Sequence, residues 1–289
     1  MTNRYLPSRY IEIVQRLAVS IEPVDAYRGA RIPPPLLMLR DEKIAAEVRL
    51  RLRDERGNVT SVLPRVGRSN TCRFKLLYAG VAYDHADPWL RVRLVQGFNE
   101  FAPRHFVPRR LEIPLLDPAT ADAAALSQRV HRPALFPGAD YPVHDSVTGL
   151  RGRVTRGGHA MPWARVEARR MHNGTVGTAI VGRAHGDDRG EFLLLVDSGA
   201  AAPGGATMAV TLRLTVYGPS PAPIPPPPID VVTDPHWSMP VERLPLTSAS
   251  SDAVSRGDDP PPGYTASTSR DVTLRLGVLS NELNSFVIV

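Results

Sequence analysis

Apolar and polar residues alternate with a period of two along much of this chain, and that pattern builds half-buried strands rather than helices. Ile11, Ile13, Leu17, Val19 and Ile21 alternate with polar or small neighbours, with Gln15 breaking the set. The same period recurs at Val48, Leu50 and Leu52, at Phe74, Leu76 and Tyr78, at Leu90, Val92 and Leu94, and at Leu111, Ile113 and Leu115. Glycine turns at Gly57, Gly67 and Gly97 separate several of these runs. Twenty-nine prolines act in the same direction, because proline breaks helices and is confined to strand edges, turns and extended connectors. The reading is an all-β chain, and 289 residues suit two domains better than one. Several short strands at this spacing make residues 1–117 an immunoglobulin-like β-sandwich.

Residues 118–145 change character and read as a Pro/Ala-rich linker. An alanine-rich stretch from Ala119 to Arg129 has room for two or three helical turns, after which Pro133, Pro137 and Pro142 impose an extended path. Strand patterns resume over residues 146–218, at Arg151–Val154, Ala164–Arg170, Thr175–Ala184, Glu191–Val196 and Met208–Tyr217. Five strands fall short of the roughly seven of an immunoglobulin-type sandwich, so completion has to come from downstream. Residues 219–289 form a Pro-rich extension. It holds a polyproline rod over Pro219–Pro228, a polar stretch from Ser248 to Pro262, a strand pattern at Val272, Leu274 and Leu276, and an apolar end at Phe286–Val289. The period alone leaves open whether that last strand closes its own domain or a neighbour's.

Gly152-x-Val154, Pro162-x-Ala164-x-Val166 and Asp188-x-Gly190-x-Phe192-x-Leu194 together resemble the carboxypeptidase regulatory-like, or prealbumin-like, family. The resemblance covers about fifty residues and implies a seven-stranded Greek-key sandwich over 146–218. That module is an accessory of metallocarboxypeptidases and of many surface proteins, so it implies no catalysis of its own. The layout as a whole, with Leu135–Pro142 between the two sandwiches, resembles accessory structural proteins of phage tails and contractile injection systems. The implied role is that of a cap or baseplate subunit.

The motifs that carry chemistry are missing from the sequence. Eight histidines show neither HExxH nor paired Cys/His spacing, and Cys72 stands alone. His185 with Asp187 and Asp188 could surround a cation, although a turn capped by aspartate explains the same residues. No Gly-x-Ser-x-Gly or Ser-x-x-Lys pattern supplies a nucleophile, and Gly152-xxxx-Gly157 lacks the lysine of a phosphate loop. The expectation is therefore no enzyme, no cofactor and no metal. Thirty-five Lys and Arg against 29 Asp and Glu give +6, and Arg49, Arg51, Arg91 and Arg93 align on strand faces where they could meet an acidic protein surface or simply confer solubility. Aromatic residues are 6% of the chain and do not interleave with these arginines, which argues against nucleic acid.

Trp163 reads as core. Trp237, Tyr264, Phe286 and Ile288 read as anchors for other subunits of an assembly. The chain shows neither a signal-peptide core nor about 18 consecutive apolar residues, so the expected setting is a soluble cytoplasmic particle without membrane insertion. The alternative function is a free-standing carbohydrate- or surface-binding module. Far-ultraviolet circular dichroism should be dominated by strand, and a helix-dominated spectrum would contradict this reading.

Overall fold

The computed structural model describes residues 16–32, 36–42, 66–69, 73–78, 87–96, 104–197, 208–220, 236, 238–246, 252–282 and 284–288. Of these residues 52% lie in strands and about 5% in helix, so the chain is mostly β with several sheets. No helix among the described residues is long and apolar enough to cross a membrane. The expected strand residues Ile11, Ile13 and Val48–Leu52 lie outside the described residues, as do Arg49, Arg51, Cys72 and the proline rod beyond Ser220.

The first half supplies β1 (Leu17–Ile21), β2 (Val24–Asp25), β3 (Leu37–Asp41), β4 (Gly67–Arg68), β5 (Phe74–Leu77), β6 (Trp89–Gln96) and β7 (Arg109–Pro114). After a short 3-10 turn at Leu126–Arg129 come β8 (Val130–His131) and β9 (Ala134–Leu135). One sheet runs β4-β5-β1-β8, and β6 pairs antiparallel with both β7 and β3. The alanine-rich stretch thus holds turns and a single 3-10 element in place of the two or three helical turns it has room for. A helix that short is marginal without packing, and Asp117 instead turns its carboxylate onto the Ala119 N–H.

The second half supplies β10 (Gly149–Arg156), β11 (His159–Ala160), β12 (Arg165–His172), β13 (Thr175–His185), β14 (Glu191–Leu195) and β15 (Ala209–Gly218). Asn173 and Gly174, both in the left-handed region, make the tight turn between β12 and β13. Further strands of these sheets come from downstream. β16 (Val241–Arg243) and the four-residue helix α1 (Ala253–Arg256) precede β17 (Ala266–Arg275), β18 (Leu279–Asn281) and β19 (Phe286–Val287). β17 joins β15 over ten residue pairs, giving a sheet β13-β12-β15-β17, while β18 and β19 run parallel to β10. β16 turns the other way and extends the first half's sheet to β16-β7-β6-β3.

Two strands of this second half show why their sequences look as they do. β14 begins the run Phe192-Leu193-Leu194-Leu195-Val196, which is apolar without alternation because both faces are buried. Phe192, Leu194 and Val196 enter a core with Val154, Val166, Leu212, Leu214 and Phe286, whereas Leu193 and Leu195 enter the first half's core with Ile21, Leu90, Leu111 and Ile113. On β10, Gly152 pairs with Phe192, and a Cβ there would lie 2.4 Å from the phenyl ring. The ring therefore covers the glycine backbone.

The two halves share this boundary strand, and the expected linker belongs to the body: Ala121, Leu135 and Tyr141 are part of the first core. Phe286 and Ile288, expected as interface anchors, are instead 2% and 1% exposed in the second core of their own chain. Parallel pairing with β10 draws them in, which decides the question left open by the sequence: the terminal strands pair within their own chain.

Phe192→Ala should cost about 3–5 kcal/mol through the cavity it opens. Gly152→Ala should cost about 1–3 kcal/mol by overpacking against the same ring. Combined in one chain, the two losses should sum to less than their total, because the clash disappears with the ring. Urea unfolding of the three variants measures this, and strict additivity would contradict the contact.

Candidate functional site

Arg109 on β7 is wholly buried, and all five of its N–H groups find acceptors. Nε and Nη2 donate to the two carboxylate oxygens of Glu242 on β16, at 3.2 and 2.6 Å. Nη1 donates to the carbonyls of Ala134 and Ser255, both at 2.9 Å, and Nη2 also reaches the Val254 carbonyl at 2.6 Å. Glu242 completes its own shell with Arg165 of β12, at 3.0 Å. Three ionised side chains thereby join the first half, the second half and the C-terminal segment. Burial alone would raise the Glu242 pKa, but Arg109 and Arg165 more than offset it and hold the carboxyl below its ordinary value.

Trp163 forms the second knot beside this trio. It is 2% exposed at φ 63°, a left-handed conformation that costs a bulky residue about 1–2 kcal/mol. Its surroundings enforce that backbone. The Trp163 N–H donates to Asp187 O, Nε1 donates to Ser238 Oγ, and its carbonyl accepts from Arg165 and from the Tyr264 hydroxyl. Tyr264, expected as an anchor for other subunits, is thus bound to its own chain, with Arg165 5.8 Å from its ring centroid. Trp237 lies outside the described residues. Its neighbour Met239 is buried against Trp163 and Val107.

The resemblance residues gather around one corner. Gly190 adopts φ 74° in the turn before β14, and Asp187 Oδ1 accepts from the Arg189 and Glu191 N–H groups. Asp188 points outward from that turn and forms a bidentate pair, both bonds 3.0 Å, with the buried Arg104 of the first half. Gly138, within Leu135–Pro142, passes so close to Arg104 that a Cβ would meet its carbonyl oxygen at 2.2 Å. His185 faces away from these aspartates, stacked on Phe136 at 3.8 Å and 3.2 Å from the Gly257 carbonyl. The cation cluster considered for His185, Asp187 and Asp188 therefore does not assemble. Burial first, then Arg165 and Arg109, hold the His185 pKa well below its ordinary value.

The arginine face also resolves into internal pairs. Arg91 bonds Glu112 at 3.0 Å and Asp87 at 3.2 Å, and Arg93 bonds Glu42 at 2.7 Å. Arg110 shares Glu42, and Arg243 bonds Glu112 at 2.7 Å. Arg91 and Arg93 are thus not a free basic surface: Glu112 stands opposite Arg91 on β7, and Glu42, just past the end of β3, reaches Arg93, whose own cross-strand partners are Arg40 and Arg110.

A wide groove among the described residues lies at the end of this same sheet. With a volume of about 610 Å³, it runs between Trp89, Pro114, Leu244 and Leu246, bounded by Asp252 and Asp259 around α1. Its floor is apolar. Leu246 stands 47% exposed at the lip, and the Arg243 guanidinium sits 4.6 Å from the Trp89 ring centroid. Glu242 and Arg243 are adjacent, so the buried trio that holds β16 in place also shapes the groove. Sequence reasoning missed both, because their members come from segments far apart in the chain, with 133 residues between Arg109 and Glu242 and 77 between Arg165 and Glu242. The one available signal was the Val241-Glu-Arg-Leu-Pro-Leu246 run, a polar pair between apolar residues.

No protein-family model matches this chain, and no curated protein matches it.

Glu242→Gln should destabilise the fold by about 3–5 kcal/mol, because it leaves two arginines buried without a counter-charge. Guanidinium unfolding at neutral pH measures it, and a loss below about 1 kcal/mol would contradict the role assigned to the trio. His131 on β8 supplies a pH test. It is 1% exposed, neither ring nitrogen has a partner among the described residues, and burial lowers its pKa to about 4 despite the opposing charge of Asp252. The unfolded chain therefore binds this proton first on acidification. Stability from this site is complete above about pH 6.5 and falls as pH drops towards 4, at roughly 1.4 kcal/mol per unit. His131→Phe should remove that share of the slope, and an unchanged slope would show that His131 does not carry it.

Proposed function

We propose that this chain is a non-catalytic structural subunit of a multiprotein particle. By its layout the particle resembles a contractile injection system or phage-tail-like assembly, with the chain in a cap or baseplate accessory role. On this reading each half is a β-sandwich, the first immunoglobulin-like and the second carboxypeptidase regulatory-like, closed by β17, β18 and β19. The observation that carries the proposal is the path of the C-terminal segment. It gives one strand to the first half, three to the second, and the central carboxylate, Glu242, to the ion trio between them. An assembly subunit transmits geometry, and a linker that folds back over both halves fixes their relation better than a free hinge would.

Its partners are other protein subunits, reached through shape and apolar contact. The Trp89 groove supports this more directly than the arginine face does, since Arg91 and Arg93 already hold carboxylates. Its setting is the soluble particle itself.

Gradient sedimentation of a gently lysed native source, followed with an antibody to the chain, tests the proposal. The chain should travel with a large particle and stay with it through a moderate salt wash. Sedimentation as a monomer throughout, with a saccharide-dependent rise in melting temperature, would favour the binding-module alternative.

A further inference from the structure

The charges around the Trp89 groove are unequal in one respect that says what would fill it. Its cation, Arg243, is already committed, with Glu112 at 2.7 Å and the Trp89 ring at 4.6 Å. Neither of its two carboxylates is in an ion pair among the described residues, and that of Asp259 is open to an occupant. Asp259 is exposed and makes no ion pair among the described residues, and Asp252 uses one oxygen to cap α1 while its other is buried without a hydrogen-bond partner. The groove is therefore an apolar floor with net negative charge at one end, on a chain whose overall charge is +6. An apolar occupant with a cationic group matches it, and an acidic partner is repelled.

Shape narrows the occupant further. One side of the indole is covered by the Arg243 guanidinium, and Pro88, Pro114 and Pro245 stiffen the rest of the rim. Rigid aromatic and proline surfaces of this kind bind extended peptide segments rich in proline or leucine, because such segments lose little conformational freedom on docking. We propose that the Trp89 groove receives an extended apolar segment of a partner protein that carries an arginine or lysine, with its cation against Asp259 and its apolar side chains between Trp89, Leu244 and Leu246. This rests on the reading of the chain as an assembly subunit and names the chemistry of the segment it would hold.

Fluorescence anisotropy on the full chain tests it with two labelled peptides, Ala-Leu-Pro-Leu-Pro-Arg and its counterpart ending in Glu. The arginine peptide should bind saturably and about fivefold or more tighter than the glutamate peptide, the worth of roughly one exposed charge pair. Asp259→Lys should cancel or reverse that preference while leaving the fold intact, and Leu246→Asp, at an exposed lip residue, should weaken both peptides. Absence of saturable binding would overturn the proposal. So would equal affinities, a preference indifferent to Asp259→Lys, or a groove closed by a second copy of the chain, seen as a dimer that Leu246→Asp dissociates. If the chain sediments with a particle but shows no peptide preference, this inference alone falls. If the preference holds for a chain never found in a particle, the assembly role alone falls.

Discussion

The bonding of the Arg109 guanidinium is the constraint from which most of this architecture follows. A buried guanidinium is tolerable only when its donors are matched, and five matched donors in one plane require acceptors from several elements at once. β9, β16 and α1 must all arrive before Arg109 is satisfied, and Glu242 is satisfied only when β12 brings Arg165 alongside. Such a trio contributes little net stability over apolar packing. What it contributes is selectivity, since a misdocked C-terminal segment would leave an ion buried without a partner.

The apolar part of the same junction is β14, which serves two cores with its two faces. Around it the polar contacts Arg104–Asp188 and Tyr264–Trp163 tie the turns, and the unusual backbone of Trp163 is held by partners from the second half and the C-terminal segment. The left-handed tryptophan is a local cost offset by surrounding bonds, and it marks where the chain is most constrained.

Much of the strand content was legible because period-two alternation depends on local sequence alone: β6, β10, β12, β15 and β17 all lie on runs visible by that rule. The shortage of strands in residues 146–218 also pointed downstream, where β17, β18 and β19 lie. What could not be read was long-range pairing. Phe286 and Ile288 look like the exposed end of an arm until β10 is known to lie beside them, and Arg91 and Arg93 look like a basic face until Glu112 and Glu42 are known to bond them. Apolar patterning tells which face of a strand is buried but not what covers it, and charge patterning gives no information on partners distant in sequence. The candidate groove suffered from the same limit, since Trp89 and Leu246 meet only through the β6-β7-β16 register.

Through β16, β17 and the Glu242 trio, the C-terminal segment should bind both halves into a single cooperative body. Native-state hydrogen exchange of the intact chain across increasing denaturant tests it most directly. Amides of β7, β12 and β16 should converge on one opening free energy equal to that of global unfolding. Two separate isotherms, with β7 and β12 opening at clearly different free energies while β16 follows only one of them, would contradict it.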